Sequence, residues 1–428
     1  MIVETRIFTD LLSSIIDNRG RTCPTATTGT PLIATNCVKS TNLFPTYENV
    51  RYVDDPTMRN WFRGHPVPGD ILFVCKGSPG QVCLVPDTVD FCIAQDMVSV
   101  RADPLKVYPP YLLAALRSST VQTQIANMHV GTMIPHFKKG DFNKLHIPFP
   151  DRPTQVSIGD VYLDLSRKIE LNRRMNETLE ASARALFRDW FVDFGPTRAK
   201  AEGSPAYLAT DLWSLFPDRL GDDGVPEGWE WSTIGAEVEA VGGSTPTTRD
   251  ASLWDGGIAW TTPKDLSGLN SPILSSTSRS ISAAGLRTIS SGLLPIGTVL
   301  MSSRAPVGYL AIAQIPVAVN QGYIAMRCNG RVSNWTAYLW AKENMEAIIQ
   351  HANGSTFQEI SKANFRPLPI LVASDEIRKR FDNAVAPLFE QIVSNDQESH
   401  TLAETRDALL PKLMSGNIRV RDAEALAA

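Results

Sequence analysis

The chain of 428 residues contains an internal duplication, and this feature limits its possible folds more than any other. Residues 69–82 read GDILFVCKGSPGQV and residues 297–310 read GTVLMSSRAPVGYL, so glycines, apolar residues and a cation recur at matching places. A second pair of segments, 131–147 and 354–370, aligns in the same way. This period is far longer than the roughly 20 to 50 residues of solenoid repeats. The duplication therefore indicates two whole domains of one architecture.

The composition is that of an ordinary globular protein, with 43% hydrophobic and 20% charged residues. The six cysteines form no C-x-x-C motif and no Cys/His cluster, so we expect reduced thiols, no metal site and a cytoplasmic location. No apolar run is long enough to span a membrane, and we expect no membrane partner. A net charge of −4 argues against charge-driven coating of nucleic acid but permits a local basic surface.

Each copy begins with a β-rich texture and ends with a long helical segment. Short apolar runs bounded by Gly, Pro and Thr favour strands in the first part of each copy. We predict an α+β fold with two pseudo-symmetric β-rich domains separated by two long antiparallel coiled-coil helices. The predicted segments are a first domain at 1–150, a helical spacer at 151–195, a connector at 196–228, a second domain at 229–372, a second helical spacer at 373–415 and a C-terminal tail at 416–428.

The helical segments show apolar residues at spacings of three, four and seven, over residues 154–192 and again over 374–414. This pattern predicts two amphipathic helices whose apolar stripes follow nearly a heptad repeat. Gly195-Pro196 is expected to end the first helix. The predicted interface positions are Ile158, Leu165, Ile169, Leu179 and Leu186 in the first helix, and Phe381, Leu388, Ile392, Leu402 and Leu409 in the second.

Neither helix is expected to be stable alone in water, so each should bury its stripe against the other. An antiparallel pair would place the two domains at opposite ends of a rod. Asn172 and Asn395 fall at equivalent positions on the two stripes. Buried asparagines there would fix the register of the pair, whereas exposed ones would have no such role.

Three segments together resemble the specificity (S) subunit of type I restriction-modification systems, and the resemblance extends over essentially the full length. They are LEASARALFRDWFVDFGPTRAKAEG at 179–203, VPEGWEWSTIGAEVEAVGGSTP at 225–246 and LLPKLMSGNIRV at 409–420. The resemblance implies that the β-rich domains are target-recognition domains, each binding half of a split site in double-stranded DNA. It also implies helical regions that bind two methyltransferase (M) subunits, and a complex that includes restriction/translocase (R) subunits.

Cations at matching places are the first candidates for DNA contact. Lys76 and Arg304 lie in turn-like loops after an apolar strand, where they could meet phosphate or guanine or simply be solvated. The candidates from the second pair of segments, which could contact phosphate, are Lys138 and Lys139 in the first copy and Lys362 and Arg366 in the second.

Two glutamines complete the candidate DNA contacts. Gln95 and Gln321 recur in AQDM and NQGY. A glutamine can bind adenine through two hydrogen bonds, but a buried amide that fixes a strand is an equal alternative. The aromatic and apolar pairs Phe142 with Phe365 and Leu145 with Leu368 are expected to be core instead.

The sequence offers no catalytic residues. YPPY at 108–111 is similar to an amino-methyltransferase motif, but it begins with Tyr108 where a short polar residue is required. No glycine-rich dinucleotide motif, phosphate loop, Asp-x-Lys or Glu-x-Lys occurs. We expect no cofactor on this chain, with S-adenosylmethionine, ATP and Mg on partner subunits.

Three hypotheses follow. The first is a noncatalytic DNA-binding subunit of a type I complex that recognises an asymmetric bipartite site and directs partner subunits to adenine methylation or restriction. The second is the recognition subunit of a methylation-only or type II-like multisubunit system. The third is a standalone methyltransferase, which the missing motifs argue against.

Overall fold

A computed structural model describes residues 4–18, 20, 22–128, 135–354 and 358–416. The predicted tail beyond Gly416 and the first residues of the second repeated motif, 131–134, lie outside the described residues. The described chain divides into two compact units. Unit 1 comprises the residues up to 171 together with those from 398 onward, and unit 2 comprises residues 172–397.

Unit 1 is built from nine short strands and three short helices, followed by the start of a long helix. The strands are β1 Thr5–Ile7, β2 Leu12–Ile16, β3 Thr30–Ile33, β4 Arg51–Val53, β5 Ile71–Val74, β6 Val82–Leu84, β7 Cys92–Ile93, β8 Met97–Ala102 and β9 His146–Pro148. The α-helices are α1 Asp55–Asn60, α2 Pro109–Arg117, α3 Ser119–Met128 and the long α4 Arg152–Phe191. Short 3-10 turns cover Phe8–Leu11, Thr35–Cys37 and Lys139–Lys144.

Unit 2 repeats this order with some additions. Its strands are β10 Glu230–Thr233, β11 Glu239–Val241, β12 Trp254–Thr261, β13 Ile273–Leu274, β14 Arg279–Ile281, β15 Val299–Ser303, β16 Val307–Ala313, β17 Ala318–Val319, β18 Tyr323–Arg327 and β19 Pro369–Val372. Its helices are α5 Gly195–Ala201, α6 Thr210–Trp213, α7 Ile234–Glu237, α8 Pro263–Leu266, α9 Ala283–Leu286, α10 Asn334–Glu343, α11 Met345–Gln350, α12 Lys362–Phe365 and the long α13 Asp375–Met414, and a 3-10 turn covers Ala251–Leu253.

The sheets confirm that the duplication is one of backbone architecture. Unit 1 has a sheet in the order β2-β8-β5-β6, and unit 2 has the same order in β11-β18-β15-β16, with β13 added at the edge. Each unit also contains a three-stranded sheet, β4-β3-β7 or β14-β12-β17, and a two-stranded ribbon, β1-β9 or β10-β19. Leu72 and Leu300 hold the same place, since each lies in the central strand between two antiparallel neighbours.

The glycines that recur in both copies are turn residues. Gly69 and Gly297 precede the central strand with φ of 82° and 87°, and Gly80 and Gly308 follow it with φ of 88° and 108°. A residue with a side chain would be strained in this region, which explains why glycine recurs there. The expected core residues also recur, because Phe142 and Phe365 are both fully buried.

The two long helices are antiparallel within each unit, as predicted. In unit 1, Ser166 on α4 contacts Arg406 on α13, and Lys168 lies 3.1 Å from Glu398 further along. In unit 2, partner numbers again run in opposite directions, with Asn176 bonded to Asn395 and the ring of Phe187 5.9 Å from that of Phe381. Each 40-residue helix is about 60 Å long at 1.5 Å per residue.

The helix interfaces differ in detail from the predicted stripe. Ile158, Leu165, Phe381, Ile392 and Leu409 are buried as predicted. Of the other predicted positions, Leu179, Leu186 and Leu388 pack at the edge of the unit 2 core, and Ile169 and Leu402 are half-buried. The centre of the unit 2 interface is also filled by Ala183, Phe187, Trp190, Val385 and Phe389, of which Phe187 and Phe389 directly follow Leu186 and Leu388.

Polar side chains interrupt the interface, and they settle the question left open for the asparagines. Asn172 and Asn395 are both buried, at 0% and 4% exposure. The Asn172 amide donates to the Asn395 carbonyl at 3.4 Å, and Asn395 Nδ2 donates to Asn176 Oδ1 at 2.9 Å. Because these bonds require one alignment of the two helices, they favour a single register in unit 2.

The first helix ends close to the predicted limit of residue 192. Its last residue is Phe191, and Phe194 has φ of 54°, so the chain turns before Gly195-Pro196 rather than at it. Pro196 then lies in the first turn of α5, where its missing N–H costs nothing. The predicted connector therefore contains α5 and α6, and the ring of its Phe216 packs 5.0 Å from that of Trp190.

Unit 2 attaches its β-rich domain to the long helices through polar contacts. Glu180 on α4 accepts from Tyr338 at 2.6 Å and pairs with Lys342, both on α10. At the added edge strand, Ser271 and Ser275 donate to the two carboxylate oxygens of Asp396 on α13 at 2.8 and 2.9 Å.

Candidate nucleic-acid interface

In unit 1, the turn after the central strand β5 packs against two other backbone segments. The N–H groups of Cys75 and Lys76 donate to the carbonyl of Asp96 at 2.9 and 3.2 Å. Gly77 N–H donates to the carbonyl of Pro135 at 3.0 Å, and Phe137 N–H to that of Cys75 at 2.8 Å. We call residues 75–77, 94–96 and 135–139 turn cluster 1.

Unit 2 forms the same arrangement after β15. Ser303 N–H donates to the carbonyl of Gly322 at 2.8 Å, and Ile360 N–H donates to that of Ser303 at 3.0 Å. Arg304 and Glu359 form an isolated β-bridge, which corresponds to the bridge between Lys76 and His136 in unit 1. We call residues 303–306, 320–322 and 358–362 turn cluster 2.

These clusters bring together most of the candidate DNA contacts. Lys76, Gln95, Lys138 and Lys139 lie in turn cluster 1, and Arg304, Gln321 and Lys362 lie in turn cluster 2. Residues far apart in sequence thus meet on one edge of each domain. Such a grouping of cations and amides is the kind of surface that can contact phosphates and base edges.

Arg366 is placed differently. Its Nη2 atom donates to the carbonyl of Ala240 at 2.7 Å, at the end of the α12 turn rather than in turn cluster 2. Its side chain also covers Gly235, where a β-carbon would lie 2.5 Å from Arg366 Cβ. These contacts give Arg366 a role in joining α7 and β11 to the rest of the domain, and DNA contact by its guanidinium stays a prediction.

The cations of the clusters differ in how they are paired. Lys76 and Lys138 are exposed and form no ion pair with any residue that the structure describes. Lys139 lies 3.4 Å from Asp17, and Arg304 lies 3.6 Å from Glu359. Lys76 and Lys138 are therefore available to an anion at once, whereas Lys139 and Arg304 must share or leave a carboxylate.

The two glutamines also differ. Gln321 is exposed, and Thr245 Oγ1 donates to its Oε1 at 2.7 Å, which orients the amide. Gln95 is half-buried in turn cluster 1. The exposed Gln321 is thus better placed than Gln95 to meet a base edge, and the alternative of a structural amide applies more to Gln95.

A cleft beside turn cluster 2 contains residues that the sequence did not single out. It has a volume of about 410 Å³ and is lined by Thr262, Pro263, Lys264, Ser267, Arg304, Ala305, Tyr309, Asn320 and Gly322. Lys264 lies in α8, whose start is a capping box between Thr262 and Asp265. The Thr-x-x-Asp spacing is a recognisable helix start, so this signal could have placed Lys264 on a short helix.

The YPPY segment has a structural role, as predicted. It begins α2, and the Tyr111 hydroxyl is fully buried and donates to the carbonyl of Pro148 at 2.6 Å. Tyr338, its counterpart in α10, is also buried. Burial raises the pKa of both tyrosines, which keeps the hydroxyls protonated.

Metal sites and membrane spans are two further classes of feature that the described residues do not form. Among the residues that the structure describes, no group of three or more His, Cys, Asp or Glu side chains could hold a metal ion. No described helix has both the length and the apolar character needed to cross a membrane. All six cysteines are free thiols, and five of them are buried.

Comparison with known proteins gives the family context. The chain matches the model of the type I restriction modification DNA specificity domain twice, at residues 33–181 and 226–392. It is 27% identical over 400 residues to the HindI type I restriction enzyme specificity subunit of Haemophilus influenzae, covering 82% of this chain and 86% of that protein. It is 31% identical over 182 residues to the MjaIX specificity subunit of Methanocaldococcus jannaschii, covering 42% of each.

The fold has a known relative as well. The crystal structure of the type I restriction-modification system S subunit from M. genitalium superposes with a TM-score of 0.53 at 17% identity, covering 96% of each chain. At that identity the similarity concerns the fold alone. The family matches, in contrast, cover most of the sequence and include most of each β-rich domain. The chain therefore belongs to the type I restriction modification DNA specificity family.

Proposed function

We propose that this chain is the DNA-recognition subunit of a type I restriction-modification complex, and that each β-rich domain recognises one half of a bipartite duplex site. One observation carries the proposal: both family segments fold into the same frame and place a turn cluster with exposed polar and cationic groups at the same edge. The side chains in the two clusters differ, so the two half-sites should differ in sequence. The whole site is then asymmetric.

The proposed partners follow from the family. Two M subunits bind the helical regions, and R subunits join to restrict unmethylated DNA. S-adenosylmethionine, ATP and Mg act on those partners, and adenine is the methylated base. The chain itself acts in the cytoplasm. It carries out no catalytic chemistry, and the absence of methyltransferase and phosphate-loop motifs from its sequence supports this part of the proposal.

Sequencing of base modifications in the host chromosome tests the proposal directly. With the gene present, we expect methyladenine at one motif made of two unlike half-sites separated by unspecified bases. Deletion of the gene should remove that methylation, and its return on a plasmid should restore it. Methylation that persists after deletion, or that marks one continuous palindrome, would contradict the proposal.

A second measurement tests the noncatalytic role. The purified chain is mixed with duplex DNA and radiolabelled S-adenosylmethionine, with and without the M subunits. We expect methyl transfer only when M subunits are added. Transfer by the chain alone would overturn this part of the proposal.

A further inference from the structure

The charged residues that line the cleft of unit 2 favour an anionic ligand. Lys264 is exposed and forms no ion pair with any described residue, and Arg304 also lines the cleft. No carboxylate belongs to the lining. The nearby carboxylate of Asp265 accepts from the backbone N–H groups of Thr262 and Ser278 at 2.7 and 3.0 Å. The cleft is therefore positively charged and open to solvent.

The charged groups of the cleft, the Lys264 ammonium and the Arg304 guanidinium, are both donors. Asn320 Oδ1 already accepts from Gly322 N–H at 2.8 Å, which leaves the amide nitrogen to donate. The Ser267 hydroxyl donates to the Lys264 carbonyl at 2.8 Å and can meet a ligand only as an acceptor. A base edge offers both donors and acceptors, whereas a phosphodiester offers only acceptor oxygens and a negative charge. The cleft matches the phosphodiester.

Glu359 competes with an anionic ligand for the Arg304 guanidinium. Its Oε2 atom lies 3.6 Å from Arg304 Nη1, and the two side chains are 50% and 39% exposed. An ion pair that is long and exposed is weak, because water screens it. Arginine binds a phosphate through two parallel and shorter hydrogen bonds, so Arg304 can exchange the carboxylate for a phosphate.

We propose that the unit 2 cleft binds one phosphate of the DNA backbone through Lys264 and Arg304, and that Glu359 holds Arg304 until the phosphate displaces it. This inference rests on the proposed function, since it takes duplex DNA as the ligand. It assigns the cleft to positioning of the DNA rather than to base recognition. It also makes Glu359 a residue that lowers affinity. The corresponding bridge of unit 1 has His136 in place of Glu359, so this opposition is specific to unit 2.

The test uses the full-length chain and a fluorescent duplex of random sequence, with the binding constant measured at several salt concentrations. Lys264→Ala should weaken binding about fivefold and reduce the slope of log K against log salt by about 0.9, the value for one lost phosphate contact. Glu359→Gln should strengthen binding by about threefold, because Arg304 is then free. Lys379→Ala is the matched control, since Lys379 is an exposed cation of unit 2 on α13, outside the cleft.

The gain in Glu359→Gln should disappear in the double variant Arg304→Ala with Glu359→Gln. Far-ultraviolet circular dichroism and thermal unfolding confirm that each variant is folded. An unchanged salt slope in folded Lys264→Ala, or weaker binding in folded Glu359→Gln, would overturn the inference.

Two further outcomes separate this inference from the proposed function. A wild-type chain that binds no duplex under any condition would refute the proposed function as well. A wild-type chain that binds normally while Lys264→Ala alters its preference among sequences would leave the proposed function intact and assign the cleft to base recognition.

Discussion

The same backbone bridge carries different chemistry in the two units. In turn cluster 1 it joins Lys76 to His136, and in turn cluster 2 it joins Arg304 to Glu359. The sheet order, the turn glycines and the bridge itself are shared, so different side chains occupy equivalent positions on a common frame. The candidate recognition surface can therefore change while the backbone frame stays the same, because the bridge is made by backbone groups that any residue supplies.

The buried polar groups that hold the frames also differ. In unit 1 the carboxylate of Asp70 is 1% exposed and accepts from Val67 N–H, Ser99 Oγ and Arg101. The corresponding residue of unit 2 is Thr298, whose hydroxyl donates to the carbonyl of Pro295 at 2.7 Å. Each unit therefore has its own stability determinants, and substitutions should act on one unit at a time.

The largest expected effect is on unit 2, from Phe381→Ala. The Phe381 ring is fully buried and lies 4.8 Å from Phe191 and 5.6 Å from Trp190. Its removal leaves a cavity among aromatic rings, so we expect unit 2 to lose about 3 to 5 kcal/mol of unfolding free energy. Hydrogen exchange by mass spectrometry should show faster exchange in unit 2 peptides and little change in unit 1.

Leu388→Ala is the control on the same helix, because this side chain is only half-buried at the edge of the core. Its cost should be less than half that of Phe381→Ala. If both substitutions cost the same, Leu388 would belong to the centre of the interface and not to its edge.

Asp70→Ala should destabilise unit 1 by about 2 to 3 kcal/mol, because several buried donors lose their acceptor while the half-exposed Arg101 regains water. Thr298→Ala in unit 2 removes only one hydroxyl bond and should cost about 1 kcal/mol. Urea unfolding of each variant, followed by exchange in the two units, measures the difference. Equal costs would mean that the two frames are held in the same way.

Lys76→Ala and Arg304→Ala should each weaken one half-site. We expect about tenfold weaker binding for Lys76→Ala and about threefold for Arg304→Ala, because Arg304 is already paired with a carboxylate. Hydroxyl-radical footprinting on the cognate duplex follows protection of each half separately. Loss of protection over both halves in either variant would refute the assignment of one domain to one half-site.

The smallest expected effect is a dependence on pH in unit 2. Hydrogen bonding from Arg331 lowers the pKa of buried Glu237 below its ordinary value of 4.5. The ionised carboxylate therefore stabilises the fold above that value, and this contribution is lost as pH falls through the lower, folded-state pKa. Glu237→Gln should cost about 1 kcal/mol at pH 7 and progressively less as the pH falls below 4.5 in urea unfolding. A cost that does not change with pH would mean that charge plays no part.

The sequence predicted the architecture well where a regular period could be followed. The helices expected at 154–192 and 374–414 occur as Arg152–Phe191 and Asp375–Met414. The period could not decide between adjacent residues such as Leu388 and Phe389, because an α-helix drifts against a heptad by about 20° per repeat. Packing against Trp335, whose ring lies 4.5 Å from that of Phe389, made the choice.

The candidate interface stays a prediction, and the sequence pointed to its residues but not to their arrangement. The duplication pointed to Lys76 and Arg304, but the bonds from Lys76 to Asp96 and from Ser303, next to Arg304, to Gly322 depend on strand pairing between distant residues. Lys264 was missed because it lies outside the duplicated motifs. Its place in the cleft depends on where β12 ends against turn cluster 2, a tertiary contact that no local pattern encodes.

Asp396 has a mechanical consequence. It binds Ser271 and Ser275 about 30 Å along α13 from the point where the domain joins that helix after β19. A body attached at one point can swivel, whereas a body attached at two separated points cannot. The domain of unit 2 and its segment of α13 should therefore turn together as one lever. A rotation of that part of the helix would rotate turn cluster 2 by nearly the same angle.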